Sequence, residues 1–419
     1  MTVSKFRHLF PSEYFDRRLL SGVLHLFASV VVSKLLFLIA MALAARALGP
    51  AQWGIFSYAF TILFLMHLLG DFGFHTLIMK GVAGGGFGRV DITNVILLRT
   101  YLGLLSIALG CGAIFILRRG QEELLLILTV LGLSMMPRAV YSTIRSLTQG
   151  LEQMRWTTVL DGAMYAVFLG GTLVALYTTS NPVFLAASWT VSVLISAGIG
   201  IYIYRANFNG LDSAGYWPSK IGLLKSSLSF LMINVVVVIF HRAGTIILET
   251  YRSYEEVGYF TSAYQLFDGG ALLAGLMITA LFPRIVKTRN VIKRDAYSLI
   301  FIVSGMSGIL ALFFWSFAAE ITQLVFGNQY LVAGELVQIL ALGLPFMAAT
   351  GVVAHIFFSL NKTWVSASLT GVSLLANVIA NMIVIPAYGM HGAAWVASLS
   401  LALNACMHAS YFIKQGLNK

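Results

Sequence analysis

Long apolar runs separated by short polar breaks set the pattern of this chain. From Ser21 to Ala45 the only charge is Lys34. A polar turn, Arg46-Ala47-Leu48-Gly49-Pro50, follows, and a second run opens at Trp53 and closes at Asp71-Phe72-Gly73. A helix needs about 20 apolar residues to cross a hydrocarbon layer about 30 Å thick, so each run is long enough to span. Continuous apolarity, without strict alternation, selects helices over a barrel, the only other structure that satisfies every backbone group in lipid. The pattern continues along the chain and predicts an all-α integral membrane protein of twelve helices. They fall at about 21–45, 53–77, 94–117, 124–145, 156–177, 183–204, 226–249, 257–282, 297–318, 331–359, 364–385 and 392–412.

Composition agrees: 58% of the residues are hydrophobic and 10% charged, where a soluble globule carries roughly a quarter charged. Residues 1–20 interleave Lys5, Arg7, Arg17 and Arg18 with Phe6, Phe10, Tyr14 and Phe15, the pattern of an amphipathic segment on a membrane surface. The first apolar run is a full span, so no cleavable signal peptide is expected. With the N-terminus inside, basic residues such as Lys80, Arg89, Arg145, Arg205, Lys220 and Lys362 crowd the inner segments. The outer ones hold Arg46, Arg118, Arg119 and Arg252. That bias places both termini, including the tail 413–419, in the cytoplasm. The net charge of +11 is therefore a topology signal and not a sign of nucleic-acid binding.

The polar stretch 205–225 divides the chain into an N-lobe, 21–204, and a C-lobe, 226–412, of six helices each. Leu48-Gly49-Pro50-Ala51-Gln52-Trp53-Gly54-Ile55-Phe56 is echoed by Tyr254-Glu255-Glu256-Val257-Gly258-Tyr259-Phe260, about 204 residues on. Gln149-Gly150-Leu151 with Trp156 is echoed by Ser359-Leu360 with Trp364, about 208 residues on. Two lobes that both start inside form a parallel repeat about an axis along the membrane normal, enclosing a central cavity.

Taken together, Arg46 to Gly54, Asp71-Phe72-Gly73, Glu256 to Phe260 with Ala263-Tyr264-Gln265-Leu266, Phe282-Pro283, Phe326 to Tyr330, and Asn377 and Asn381 with Ile385 to Gly389 resemble oligosaccharide flippases of the polysaccharide-biosynthesis (O-antigen flippase) family. The motifs run from the first helix to the last. The resemblance implies an alternating-access exporter that moves undecaprenyl-diphosphate-linked sugar repeat units across the bacterial inner membrane, alongside polysaccharide polymerase machinery. It also implies kinship with multidrug-extrusion transporters and the lipid II flippase, the two alternative functions. Where relatives often carry an acid in the seventh helix this chain has His241-Arg242, so an ion-coupling role is not carried over from that position.

No phosphate loop, zinc motif or nucleophile elbow is present, so neither an enzyme nor a cofactor or metal site is expected. The informative residues are ionisable groups inside spans, which are costly there and mark function. Lys34 and Arg242 fall at equivalent places in helices one and seven, about 20 Å above the inner edge at about 1.5 Å per residue. With Arg138 lower down, they are the candidate cavity cations for a diphosphate, whose oxygens suit arginine's planar fork. Asp268 is either the ion-pair partner of Arg242 or an ion-coupling site. Arg99 is expected to snorkel to an interface, and Asp71 and Asp161 to serve at helix ends or between lobes. His67 reads as a satisfied buried imidazole. Asn377 and Asn381, four apart on one face, either contact sugar hydroxyls or join helices. Pro137 and Pro345 are bending points.

Overall fold

The computed structural model describes residues 17–117, 120–178, 181–208, 215–217, 219–287, 293–360 and 362–414, with side chains from Val32 onward except in 279–295. Most of the N-terminal segment 1–20, much of the connection 205–225, and the tail beyond Lys414 lie outside the described residues.

Among the described residues every regular element is helical. α1 (Arg17–Asp71) supplies the first two spans as two arms, because Gly49 breaks it with a φ of 73°. That left-handed backbone is open to glycine at no steric cost, and Pro50, with φ already fixed, starts the second arm. A second break falls where the second apolar run closes, although the expected helix continues to residue 77: it separates α1 from α2 (Phe74–Ala83) at Phe72-Gly73, both with positive φ. α3 (Arg89–Leu117) follows. α4 (Glu122–Gly132) and α5 (Met135–Gly150) form one interrupted span. α6 (Met154–Thr178) and α7 (Pro182–Asn207) complete the N-lobe, with Asn181 capping α7 through a 2.8 Å bond from Val183 N–H.

The C-lobe repeats the plan. α8 (Lys220–Tyr251), α9 (Tyr254–Lys287) and α10 (Lys293–Ser316) are continuous. The short α11 (Ala318–Phe326) precedes an interrupted span, α12 (Leu331–Ala341) and α13 (Leu344–Ser359), whose halves meet at 43°. α14 (Thr363–Lys414) supplies the last two spans, bent at Gly389 with a φ of 54°. Twelve crossings result among the described residues. Both predicted bending points sit just beyond a break: Pro137 in the first turn of α5 and Pro345 in the first turn of α13. A proline there lacks the N–H that would have continued the previous helix. The bends at Gly49 and Gly389 share one face, the turn face; the chain ends share the other, the terminus face.

The duplicated segments meet each other. Gly54 and Gly258, 204 residues apart, lie where α1 crosses α9; a Cβ on Gly54 would come within 1.7 Å of Tyr254 O, and one on Gly258 within 2.1 Å of Pro50 O. One turn further, Thr261 Oγ1 donates to Ser57 Oγ at 2.9 Å, again across 204 residues. Equivalent residues touch only on a symmetry axis, so the pseudo-two-fold axis of the repeat runs through this crossing. Reciprocal clasps flank it on the turn face. Tyr330 Oη donates to Ala45 O at 2.8 Å, and Tyr254 Oη donates to Gln121 Oε1 at 2.6 Å. The Arg46 guanidinium donates to the last carbonyls of α11, Leu324 O and, at 2.9 Å, Val325 O. Arg46 thus ends in a helix cap, where the loop pattern alone made it a free outer charge.

Gly54→Val and Gly258→Val each drive a branched side chain into a carbonyl of the opposite lobe. Overpacking of this kind costs about 1–3 kcal/mol, so each variant is expected to unfold several degrees below the parent in a detergent thermal-shift assay, while Gly112→Val, in α3 and meeting nothing within 4 Å, measures the background of a helical glycine-to-valine change.

Candidate functional site

A cavity of about 380 Å³ opens between α1, α3, α5, α6 and α7, closed on the C-lobe side by Asn234 of α8. It is sharply divided in chemistry. One part of its wall is ionic. Asp71, at the end of α1, pairs with Arg99 of α3, which also donates to Thr143 Oγ1 at 2.7 Å. Asp161 of α6 receives Arg145 of α5 through two nitrogens, Nε at 2.8 Å and Nη2 at 2.9 Å, and Tyr141 Oη at 2.5 Å. His75 Nδ1 shares a 2.8 Å bond with Ser146 Oγ. Asp71, which lines the cavity, and Asp161, whose partners Tyr141 and Arg145 line it, are therefore each engaged by an arginine.

Two cations are left over. Lys34 has no hydrogen bond or ion pair among the described residues, and it is exposed although it lies deep in the first arm of α1; the space it meets is the cavity. Arg138 of α5 lies one turn from Tyr141 and carries a buried Nη1 without a partner among the described residues. Both ring nitrogens of His67 are likewise buried and unpartnered there. An unpaired charge is costly in a low-dielectric interior, which makes these groups the candidates for contact with a ligand. The rest of the wall is aromatic. Phe37 and Tyr165 lie 5.4 Å apart between ring centres, Phe60 and Trp189 5.0 Å, and Phe37 and Trp189 6.1 Å. Trp189 Nε1 is buried without an acceptor.

Among the predicted residues, Lys34 and Arg138 line the cavity together. Arg242 stands beside it, its guanidinium 4.7 Å from the ring centre of Phe64, a wall residue, and 3.8 Å from Asp268 Oδ2. Asp268 thus stands within ion-pair distance of Arg242, as the first of its two expected roles requires. Lys34 lies within electrostatic reach of both Asp268 and Arg242. Asn377 and Asn381 lie elsewhere: they are 3% and 1% exposed in α14. Asn381 Nδ2 donates to Asn377 Oδ1 at 3.0 Å and Asn377 Nδ2 to Ser400 Oγ at 3.0 Å. They join the two arms of α14 and do not line the cavity.

Two other expectations are corrected. Arg99 does not snorkel: it is 2% exposed, held inside by Asp71. His67 has no hydrogen-bond partner among the described residues. Asp71 does end a helix, as expected, and both it and Asp161 bind arginines within the N-lobe. The aromatic wall and the Arg145–Asp161 pair were missed, although spacing carried a signal. Phe60, Phe64, His67 and Asp71 follow one another at four, three and four residues, and Arg138, Tyr141 and Arg145 at three and four, each a single helix face.

Residues 19–289, more than half of the chain, match the family of polysaccharide biosynthesis proteins. The chain belongs to that family. A curated relative, the probable low-salt glycan biosynthesis flippase Agl15 of Haloferax volcanii, is 25% identical over 175 residues, a match that spans 39% of this chain and 36% of that relative. Among solved structures, the lipid II flippase MurJ in an inward closed conformation superposes with a TM-score of 0.77 at 14% identity, covering 93% of this chain and 87% of that one. An inward-facing multidrug resistance MATE family transporter of the MOP superfamily gives 0.73 at 15% identity, covering 93% and 98%. These likenesses establish the fold of two six-helix lobes. Family and fold together make this polysaccharide biosynthesis protein a multi-pass membrane protein.

In this family member the Arg145–Asp161 pair holds α5 to α6 inside the cavity wall. Asp161→Leu leaves the guanidinium buried and unpaired, a loss of about 3–5 kcal/mol, whereas replacing both partners is close to neutral. The single variant is expected to fall sharply in Tm and membrane abundance, and Asp161→Leu with Arg145→Leu to recover most of both.

Proposed function

We propose that this protein is a flippase that carries undecaprenyl-diphosphate-linked oligosaccharide repeat units from the cytoplasmic to the periplasmic leaflet of the bacterial inner membrane. The product feeds surface polysaccharide assembly, with polymerase machinery as the next partner. The observation that carries this reading is the charge imbalance of the cavity: Asp71 and Asp161 are each bound by an arginine, and Lys34 and Arg138 remain free. A diphosphate supplies the missing anion, and the guanidinium of Arg138 meets its oxygens in a charge-assisted pair. A cationic drug would need a free carboxylate there. Among the wall residues the carboxylate of Asp71 is already neutralised, which argues against multidrug extrusion.

Transport then proceeds by alternating access, with both termini cytoplasmic and the lobes rocking about the 54/258 crossing. The clasps of Tyr330, Tyr254 and Arg46 close the turn face, the periplasmic side in this orientation, and the cavity receives its load from the cytoplasmic side. The ion pair of Arg242 and Asp268 sits where the C-lobe meets the cavity and holds Arg242 ready for the second lobe's share of the diphosphate.

In proteoliposomes, Lys34→Ala and Arg138→Ala are each expected to slow flipping of lipid-linked oligosaccharide at least tenfold at parental protein levels. Parental rates in the double variant would refute the reading, and export of cationic dyes without sugar flipping would assign the drug-transport alternative. Cysteines at Ala51 and Glu255, equivalent positions on either side of the crossing, are expected to crosslink and stop flipping, with recovery on reduction. Unchanged flipping through the crosslinked protein would exclude rocking at this crossing.

A further inference from the structure

The two chemistries of the cavity wall are sorted by depth. Counted along each helix at about 1.5 Å per residue, Trp189, Phe60, Phe37, Tyr165 and Phe64 lie about 10–22 Å from the turn-face end. On the same count Lys34, Arg138, Asp161, Arg99, Asp71 and Arg145 lie about 22–35 Å from it. The aromatic part is not merely a packed core. Phe37 and Tyr165 are only half-buried, and Trp189, 4% exposed, lines the cavity while its buried indole N–H has no acceptor among the described residues. A half-exposed ring face beside an unpaired donor suits a pyranose, which offers C–H groups to the ring and hydroxyls to the donor. The ionic part suits a diphosphate.

We infer that the cavity holds a glycosyl diphosphate in one orientation: the sugar next to the diphosphate sits against Phe37, Tyr165 and Trp189, and the diphosphate sits below it at Lys34 and Arg138. This rests on the proposed flippase function. It adds that the glycan leads toward the turn face while the phosphates stay level with the terminus-face half of the bilayer, where the polyprenyl tail lies. It also makes the aromatic wall the part that distinguishes a glycosylated carrier from a bare one. Phosphate contacts are common to both forms, so the discrimination has to come from ring stacking and the indole donor.

The test is equilibrium binding to the purified full-length protein in nanodiscs. The probes are farnesyl diphosphate, farnesyl-diphosphate-glucose and farnesyl-diphosphate-N-acetylglucosamine. The parent is expected to bind at least one glycosylated probe about five- to tenfold more tightly than farnesyl diphosphate, the range a stacked ring provides. Phe37→Ala and Tyr165→Ala should erase that preference while leaving farnesyl diphosphate binding within about twofold, and Tyr165→Phe, which keeps the ring, should retain it. Arg138→Ala should weaken all three probes alike. Equal binding of bare and glycosylated probes by the parent, or an unchanged preference in both alanine variants, overturns the aromatic subsite while leaving the flippase reading standing. Failure of the parent to bind any of the diphosphates overturns the flippase reading and the subsite with it.

Discussion

A charge inside a bilayer has to be answered by another charge, by hydrogen bonds or by water, and the N-lobe is arranged around that constraint. Arg99 is one of the largest fully buried side chains in the protein, yet it tolerates its place because Asp71 and Thr143 meet it there. Arg145 tolerates its own through Asp161 and, indirectly, Tyr141. These two pairs tie α1 to α3 and α5 to α6, and they keep open a polar space that hydrophobic packing alone would have collapsed. Lys34 and Arg138 are then the remainder of an otherwise balanced account. The positive character of the cavity follows from that remainder, and so does the anion proposed for it.

Duplication explains the frame but not the site. The crossing at Gly54 and Gly258, the Ser57–Thr261 bond and the two broken spans all obey the repeat. The ionic cavity does not: it belongs to the N-lobe. The matching interior of the C-lobe is packed by α14 against α8, and Asn377, Asn381 and Ser400 hydrogen-bond among themselves. His241 likewise spends its Nδ1 on Tyr264 Oη at 3.1 Å. The N-lobe groups face an inward space; Asn377, Ser400 and His241 of the C-lobe serve as joints within and between helices. Arg242, at the border, carries both characters, stacked on an N-lobe ring and paired with a C-lobe acid.

The helices were legible because apolar length is a property of consecutive residues, and Gly49-Pro50 and Pro345 announce their own breaks. Lys34, Arg138 and Arg242 stood out because a lone basic residue in an apolar run has no other local explanation. What stayed hidden depended on partners far along the chain. Arg99 reads as an interfacial residue until Asp71, 28 residues earlier, is brought beside it. Arg145 passes for a loop charge until α5 is seen to extend through it to Gly150. The apolar run visibly closes at Phe72-Gly73, but the cause of the sharp backbone break there was hidden. It depends on α8, whose Ser227 O would lie 2.5 Å from a Cβ on Gly73, and no local count of hydrophobicity reports such a contact. Aromatic residues carry no such flag, since in a membrane protein rings are everywhere, and only their shared depth gives Phe37 and Tyr165 meaning.

The buried carboxylate of Asp91, at the start of α3, has a mechanical consequence. It accepts the backbone N–H groups of Gly88 at 3.0 Å, Tyr216 at 2.8 Å and Trp217 at 3.2 Å, and so fastens the end of the polar connection to the N-lobe. Only the stretch from Trp217 to the start of α8 at Lys220 is left to span the two lobes. At about 3.3–3.6 Å per extended residue that leash is roughly 10 Å long. Under the proposed rocking of the lobes, a single aspartate would therefore limit how far the terminus face opens, and twenty residues of sequence would act as a short tether.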